Sequence, residues 1–295
     1  MQTPEADAVH QAIQRTWRAE CARIVAVVAR LTRDVGLAEE CAQDALVAAL
    51  EHWPRDGVPD RPGAWLTTAA RHKALDHLRR AQRMAREHEA LGHDLDAQQA
   101  LTVPDIADGI DARRDDDIGD DLLRLIFIAC HPLLSTDARV ALTLRLLGGL
   151  GTAEIARAFL VPEPTVAQRI VRAKRTLAEA KVPFEVPRGE ERSARLTSVL
   201  EVIYLIFNEG YASSGEFLQR PDLATEAILL ARLLIQLLPA NAEAEGLLAL
   251  MLLNDARREA RTTTDGLLVP LDEQDRSLWN RASIAAGTAR SRSAC

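Results

Sequence analysis

Gln168, Arg169, Arg172, Lys174 and Arg175 fall within eight residues that contain no acid. Amide and guanidinium donors of this kind bond to base edges and phosphate oxygens, the chemistry of nucleic-acid recognition. They lie in TAEIARAFLVPEPTVAQRIVRAKRTL (152–177), which reads as two short helices around a tight turn. The first is expected to pack through Ile155, Ala156 and Phe159. Leu160, Val161 and Pro162 end it, because Pro162 lacks a backbone donor and disfavours helix at Val161. Pro164 and Thr165 open the second, where a missing N–H costs nothing. Val166, Ile170 and Ala173 share one face and are expected inward. Thr165, Gln168, Arg169, Arg172 and Lys174 are left largely outward. A short helix, a turn and a basic helix outline a major-groove reader. An ordinary helical hairpin with a solvated basic face has the same pattern.

No catalytic constellation competes with this reading. His10, His52, His88, His93 and His131 form no grouping, and His131, before Pro132, reads as a structural residue at a helix end. LGGLG (147–151) has neither the lysine nor the strand of a phosphate-binding loop. Cys21, Cys41, Cys130 and Cys295 show no CxxC and no ligand spacing, so they read as reduced, mostly core residues of a cytosolic protein. No enzyme activity, cofactor or metal is expected.

The elements that must position the basic residues follow from composition and period. The 295-residue chain is 47% hydrophobic and 4% aromatic, enough for one to three helical domains. Its net charge of −7 means that any nucleic-acid surface must be local. No run of 18 apolar residues exists, and MQTPEADAVH has no signal-peptide pattern, so a soluble cytoplasmic protein is expected. Helical spacing predicts one helix from about Val9 to Leu31 and a second that follows Asp34-Val35-Gly36 and runs to about Trp53. The second is read with Leu37, Cys41, Ala45 and Ala48 inward and Glu39, Glu40, Gln43 and Asp44 on its surface. Pro54, Gly57, Pro59, Pro62 and Gly63 mark a loop. A third helix, Ala64 to about Arg86, is basic: residues 61–86 hold seven Arg or Lys against one Asp.

Sign then reverses. Residues 87–121 carry twelve acids against Arg113 and Arg114, with few large apolar residues. They read as an acidic flexible linker, either a solubilising spacer or a competitor for the basic surface. Helical period resumes at Leu122 and runs to about Lys181. After Pro183, Pro187 and Gly189, helices are expected near 193–209, 221–238, 241–254 and 272–284. The last two resemble the pairs of a repeat, with Ala242, Ala244, Gly246 and Ala249 allowing close approach. The tail TARSRSAC is expected to fray. The fold class is therefore all-α: two modules at 8–86 and 120–182, a linker at 87–119, and an extension at 190–285.

The two modules together resemble the extracytoplasmic-function (ECF) sigma factors of bacterial RNA polymerase. DVGLAEECAQDALVAALEHWP is similar to sigma region 2.2, and GAWLTTAARHKALDHLRRAQR to regions 2.3 and 2.4. ARVALTLRLLGGLGTAEIARAFLVPEPTVAQRIVRAKRTL is similar to region 4. IFNEGY (206–211) resembles a subgroup with a C-terminal extension related to tetratricopeptide repeats, whose domain continues beyond this length. The resemblance implies core RNA polymerase, through its β′ clamp helices and β flap, and promoter DNA as partners. It implies docking on the clamp helices through Glu39, Glu40, Gln43 and Asp44. It implies contact with the −10 element through Trp65, Arg71, His72, Lys73, Asp76, His77, Arg79 and Arg80, with His72 where the family often has Asn. Trp65 also reads as core, and Asp76 as a partner of Arg79 or Arg80. At the −35 element, Pro164 and Thr165 would approach a phosphate, Gln168 and Arg169 would meet base edges, and Arg172, Lys174 and Arg175 would meet phosphates. A polymerase-independent helix-turn-helix regulator and a helical scaffold or adaptor are the other readings of the chain.

Overall fold

The computed structural model describes residues 4–90, 115–211, 221–263 and 267–293. Within them the secondary structure is helical, with one isolated β-bridge, Thr262 to Leu268, and no strand. The chain divides into two compact units. One is Met1–Leu125 with Leu177–Glu185, and the other is Ile126–Thr176 with Val186–Cys295.

The first unit is built on α1 (Pro4–Thr32), α2 (Val35–Asp56) and α3 (Pro62–Ala90), which pack mutually. Asp34 caps α2: its Oδ1 accepts from the N–H groups of Gly36 at 2.6 Å and Leu37 at 3.1 Å. That satisfies two amides that a helix start leaves without partners. Pro54 does not end α2 as the sequence suggested. It lies in the last turn, and the helix stops at Gly57, whose φ of 85° and N–H bond to the Trp53 carbonyl turn the chain away. The apolar core is made of Ile13, Ile24, Val28, Cys41, Ala45, Trp53 and Leu66 among others. Trp17 is half-buried.

The expected linker begins later and ends earlier than its acids suggest. α3 continues to Ala90, and α4 (Asp115–Ala129) already includes five of those acids. The intervening 91–114, with the flexibility expected of them, lie outside the described residues. Asp121 is not a linker acid. It is 2% exposed, with Arg30 of α1 at 3.0 Å and Arg124 at 2.6 Å.

In the second unit, α5 (Thr136–Leu146), α6 (Thr152–Ala158) and α7 (Glu163–Glu179) form the helix-turn-helix region. The extension follows as α8 (Gly189–Tyr211), α9 (Pro221–Leu237), α10 (Ala242–Asp255) and α11 (Arg281–Ser293). Consecutive helices of the extension pack on one another, and α8 also packs on α5. Three expectations fail here. Residues 272–280 hold turns and a short 3-10 helix, Arg276–Leu278, because Asp275 accepts from the Ser277 N–H and closes a local turn. The helix comes later and takes in most of the tail expected to fray. Gly287 lets α11 come close to α10 beside Ala249: a Cβ there would lie 2.9 Å from Leu253 Cγ and 3.2 Å from the Ala249 carbonyl oxygen, whereas one on Gly246 would meet nothing within 4 Å.

IFNEGY resolves into separate jobs. Ile206 and Phe207 are buried, and Gly210 lets α9 come close, since a Cβ would lie 2.3 Å from the Ala224 nitrogen. Tyr211 stacks on Phe207 at 5.5 Å, lies 3.5 Å beneath the Arg261 guanidinium, and accepts at its hydroxyl from Arg257 at 2.7 Å. Asn208 and Glu209 are left on the other side of the helix.

Candidate nucleic-acid interface

The turn between α6 and α7 sets the direction of the basic helix. Glu154 closes the start of α6 by accepting from the Gly151 N–H at 2.7 Å. α6 ends at Ala158, and Leu160 takes φ 51°, a left-handed conformation usually given to glycine. The Val161 N–H returns to the Ala156 carbonyl at 3.1 Å. The Pro162 carbonyl then accepts from Thr165 at 2.9 Å and starts α7. Val166, Ile170 and Ala173 are buried, as their spacing predicts, and so are Ile155 and Ala156. Phe159 is half-buried rather than core.

Along α7, Pro164, Gln168, Arg172 and Arg175 are exposed, and Thr165 and Lys174 are half-buried. Arg169 departs from the outward expectation. Its side chain is 35% exposed, and its Nη2 lies 2.9 Å from Oδ2 of Asp137 in the first turn of α5. The sequence does not give this pair away, because 32 residues separate its members.

The basic helix of the first unit is sorted by burial. His72, Lys73, Asp76, Arg79 and Arg80 are exposed, as is Arg83, and His77 is half-buried. Asp76 lies 3.8 Å from Arg79, so the intrahelical pair forms. Arg71 does not join the cationic face. It is 8% exposed, its Nη2 has no hydrogen-bond partner among the described residues, and burial holds its pKa below the ordinary arginine value. The helical period explains this: Arg71 follows Leu66 and Ala70 onto the core side.

Trp65 is half-buried, with its ring 5.6 Å edge-on to Trp53 and 6.4 Å from His52. These rings, with Asp56, Gly57, Val58 and Pro59, line a cavity of about 430 Å³ between the end of α2 and the start of α3. His52, Trp53 and Val58 were missed by sequence reasoning. The aromatic pair before the Pro- and Gly-rich loop was the available signal.

On α2, Glu40 is exposed and Gln43 and Asp44 are half-buried. Glu39 is not on the surface: it is 3% exposed and accepts a bond from the Gln43 amide. Asp44 lies 4.0 Å from Lys73. The expected protein-docking face and the expected DNA face therefore meet at the seam between α2 and α3. The Cys41 thiol on the same helix is pushed up to about 11, first by burial and then by Asp44 and Glu40. Cys21 and Cys130 are likewise buried thiols, and Cys295 lies outside the described residues.

Among the described residues, no helix is long and apolar enough to cross a membrane, and no cluster of three His, Cys, Asp or Glu residues could hold a metal.

Comparison with known proteins divides the chain along these lines. Residues 16–84 match the family model for Sigma-70 region 2, and residues 124–177 that for Sigma-70, region 4. Residues 195–295 match a family of unknown function, DUF6596. The chain is 44% identical over 262 residues to an uncharacterised protein of Rhizobium meliloti (strain 1021), covering 88% of this chain and 60% of that one. It is 28% identical over 185 residues to the probable ECF RNA polymerase sigma factor SigI of Mycobacterium tuberculosis, covering 62% and 60%. It is 30% identical over 161 residues to the ECF RNA polymerase sigma factor SigK of Mycobacterium ulcerans, covering 53% and 79%. The chain thus spans only about 60% of the length of the first two relatives. No solved structure matches it.

Proposed function

The chain belongs to the ECF family of RNA polymerase sigma factors, and from that premise we propose that it is a cytoplasmic promoter-specificity subunit that performs no chemistry of its own. The observation that carries this reading is the pairing of two cation-bearing helices, α3 and α7, each on a module that matches a different Sigma-70 region. A single-site repressor has no use for the first.

In this reading α7 enters the major groove of the −35 element. Gln168 and Arg169 meet base edges, where an amide suits adenine and a guanidinium suits guanine. Pro164 and Thr165 bring the helix N-terminus to a phosphate, and Arg172, Lys174 and Arg175 bind neighbouring phosphates. α3 lies along the −10 element. His72, Lys73, Arg79 and Arg80 hold the strand being separated, and an unpaired base stacks against Trp65 at the mouth of its cavity. Arg71 supports the helix from inside. Glu40, Gln43 and Asp44 meet the basic β′ clamp helices, with Glu39 orienting Gln43 from below. Region 4 meets the β flap. The extension makes a regulatory contact in the manner of tetratricopeptide-like domains.

Permanganate footprinting of the −10 region tests the assignment. Arg79→Ala with Arg80→Ala is expected to abolish most thymine reactivity at the start site while the complex with core polymerase still forms. Unchanged melting by that double variant contradicts the role given to α3.

A further inference from the structure

The extension is joined to the helix-turn-helix through polar contacts that lead to one residue of the recognition helix. Arg195 of α8 donates to the Phe127 carbonyl at 2.9 Å, and Ser198 donates to the Cys130 carbonyl at 2.9 Å. Arg139 of α5 reaches Ser198, lies 3.0 Å from Glu201, and donates to the Thr136 hydroxyl at 3.0 Å. Thr136 and Asp137 are adjacent in the first turn of α5, and Asp137 holds Arg169 of α7. Arg169, Asp137, Asn208 and Glu209 also line one cavity of about 260 Å³, floored by Val166 and Leu205. The route therefore runs from Ser198 and Glu201 through Arg139 and the Thr136–Asp137 turn to Arg169, inside one compact unit.

We propose that Asp137 is a positioning residue for Arg169, and that α8 of the extension sets −35 specificity through the Arg139–Thr136–Asp137 turn. The inference rests on the reading of α7 as the −35 helix. A guanidinium discriminates guanine only when its fork is held in the plane of the base edge. A long, loosely held arginine turns instead to the nearest phosphate, which carries no sequence information. The carboxylate of Asp137 acts against that in two ways. It fixes the side chain through Nη2, leaving the remaining N–H groups to be aimed, and it opposes capture by phosphate. The extension enters because Glu201 and Ser198 hold Arg139, which holds the turn carrying Asp137.

The proposal makes opposite predictions for specific and non-specific binding, which mere support of the fold does not. Holoenzyme from core polymerase and the full chain is titrated on a cognate promoter, on single-base −35 variants and on non-specific DNA at several salt concentrations. Asp137→Asn is expected to reduce discrimination at one −35 base pair roughly tenfold, the size of one bidentate base contact. It is expected to raise non-specific affinity and steepen its salt slope by about 0.9, one further phosphate contact. Asp137→Glu restores the discrimination. Glu201→Gln lowers it about threefold alone and not at all beside Asp137→Asn, the non-additivity of residues on one network. Unchanged discrimination in Asp137→Asn, or equal loss of specific and non-specific affinity, overturns the positioning role. Additive effects of the two substitutions overturn the part given to the extension. A template melted in advance across −10 and lacking a −35 element separates the levels: every variant is expected to transcribe it like the unaltered chain. If the unaltered chain gives no transcript there, the sigma reading falls and the inference with it.

Discussion

The carboxylate of Asp121 sits between two guanidiniums, those of Arg30 and Arg124, and is almost wholly withdrawn from water. Removing Asp121 takes the hydrogen-bonded partner from two guanidiniums that are partly exposed, with Asp120 still 3.8 Å from Arg124, which costs about 1.5 to 3 kcal/mol. Asp121→Ala is therefore expected to lower the stability of the first unit by that order in a urea titration, whereas Asp120→Ala, at an exposed neighbour, leaves it within about 0.5 kcal/mol. The buried thiols follow the same logic. Burial pushes Cys130 up to about 11, and its Sγ also pairs with the Thr143 hydroxyl at 3.4 Å. Alkylation of Cys41 and Cys130 at neutral pH is expected to follow unfolding, as the thiolate is the reactive form. Residue types alone made Asp121 look like a linker acid and Arg71 like a DNA contact. Position within the helical period assigns both to the interior.

At the scale of elements, two tight places are a left-handed leucine and a close-packed glycine. Leu160 holds φ 51° in the turn between α6 and α7 with its side chain exposed. Leu160→Gly relieves the Cβ conflict and is expected to raise thermal stability by about 1 kcal/mol without altering −35 affinity. Gly210 in IFNEGY has the opposite character. Gly210→Ala drives a Cβ into the α9 backbone and is expected to cost about 3 kcal/mol, as overpacking does. The end of α4 adds a pH dependence. His131 accepts from the Leu133 N–H at 3.2 Å, and burial, with Arg195, holds its pKa below 6.5. Because the folded pKa is the lower one, the unfolded chain binds the proton first, and stability falls as pH drops below about 6.5. His131→Gln is expected to flatten that part of the stability profile. Helices and the helix-turn-helix were legible in the sequence because their period, prolines and caps are local. The early 272–284 helix was misplaced because Asp275 closes a turn that competes with it.

At the scale of the whole molecule, the placement of the extension was not legible. The contacts that bind α8 to α4 and α5 span 59 to 68 residues, and no local pattern encodes them. They change what a truncation means. Removing everything after residue 190 strips partners from Phe127, Cys130 and Arg139, so it is expected to lower the melting temperature of the helix-turn-helix unit. Region 2, in the other compact unit, is expected to retain its binding to core polymerase in a pull-down. The family and its two basic helices could be read from motifs, since charge and period survive in sequence. The Asp137–Arg169 pair could not. As proposed, the chain directs polymerase to promoters. The most direct measurement is in vitro transcription from a genomic library by core polymerase with and without the full chain. New transcripts that depend on the chain and share two upstream elements are expected. Tight, specific DNA binding by the chain alone, with no transcript added by it, contradicts a role as a promoter-specificity subunit.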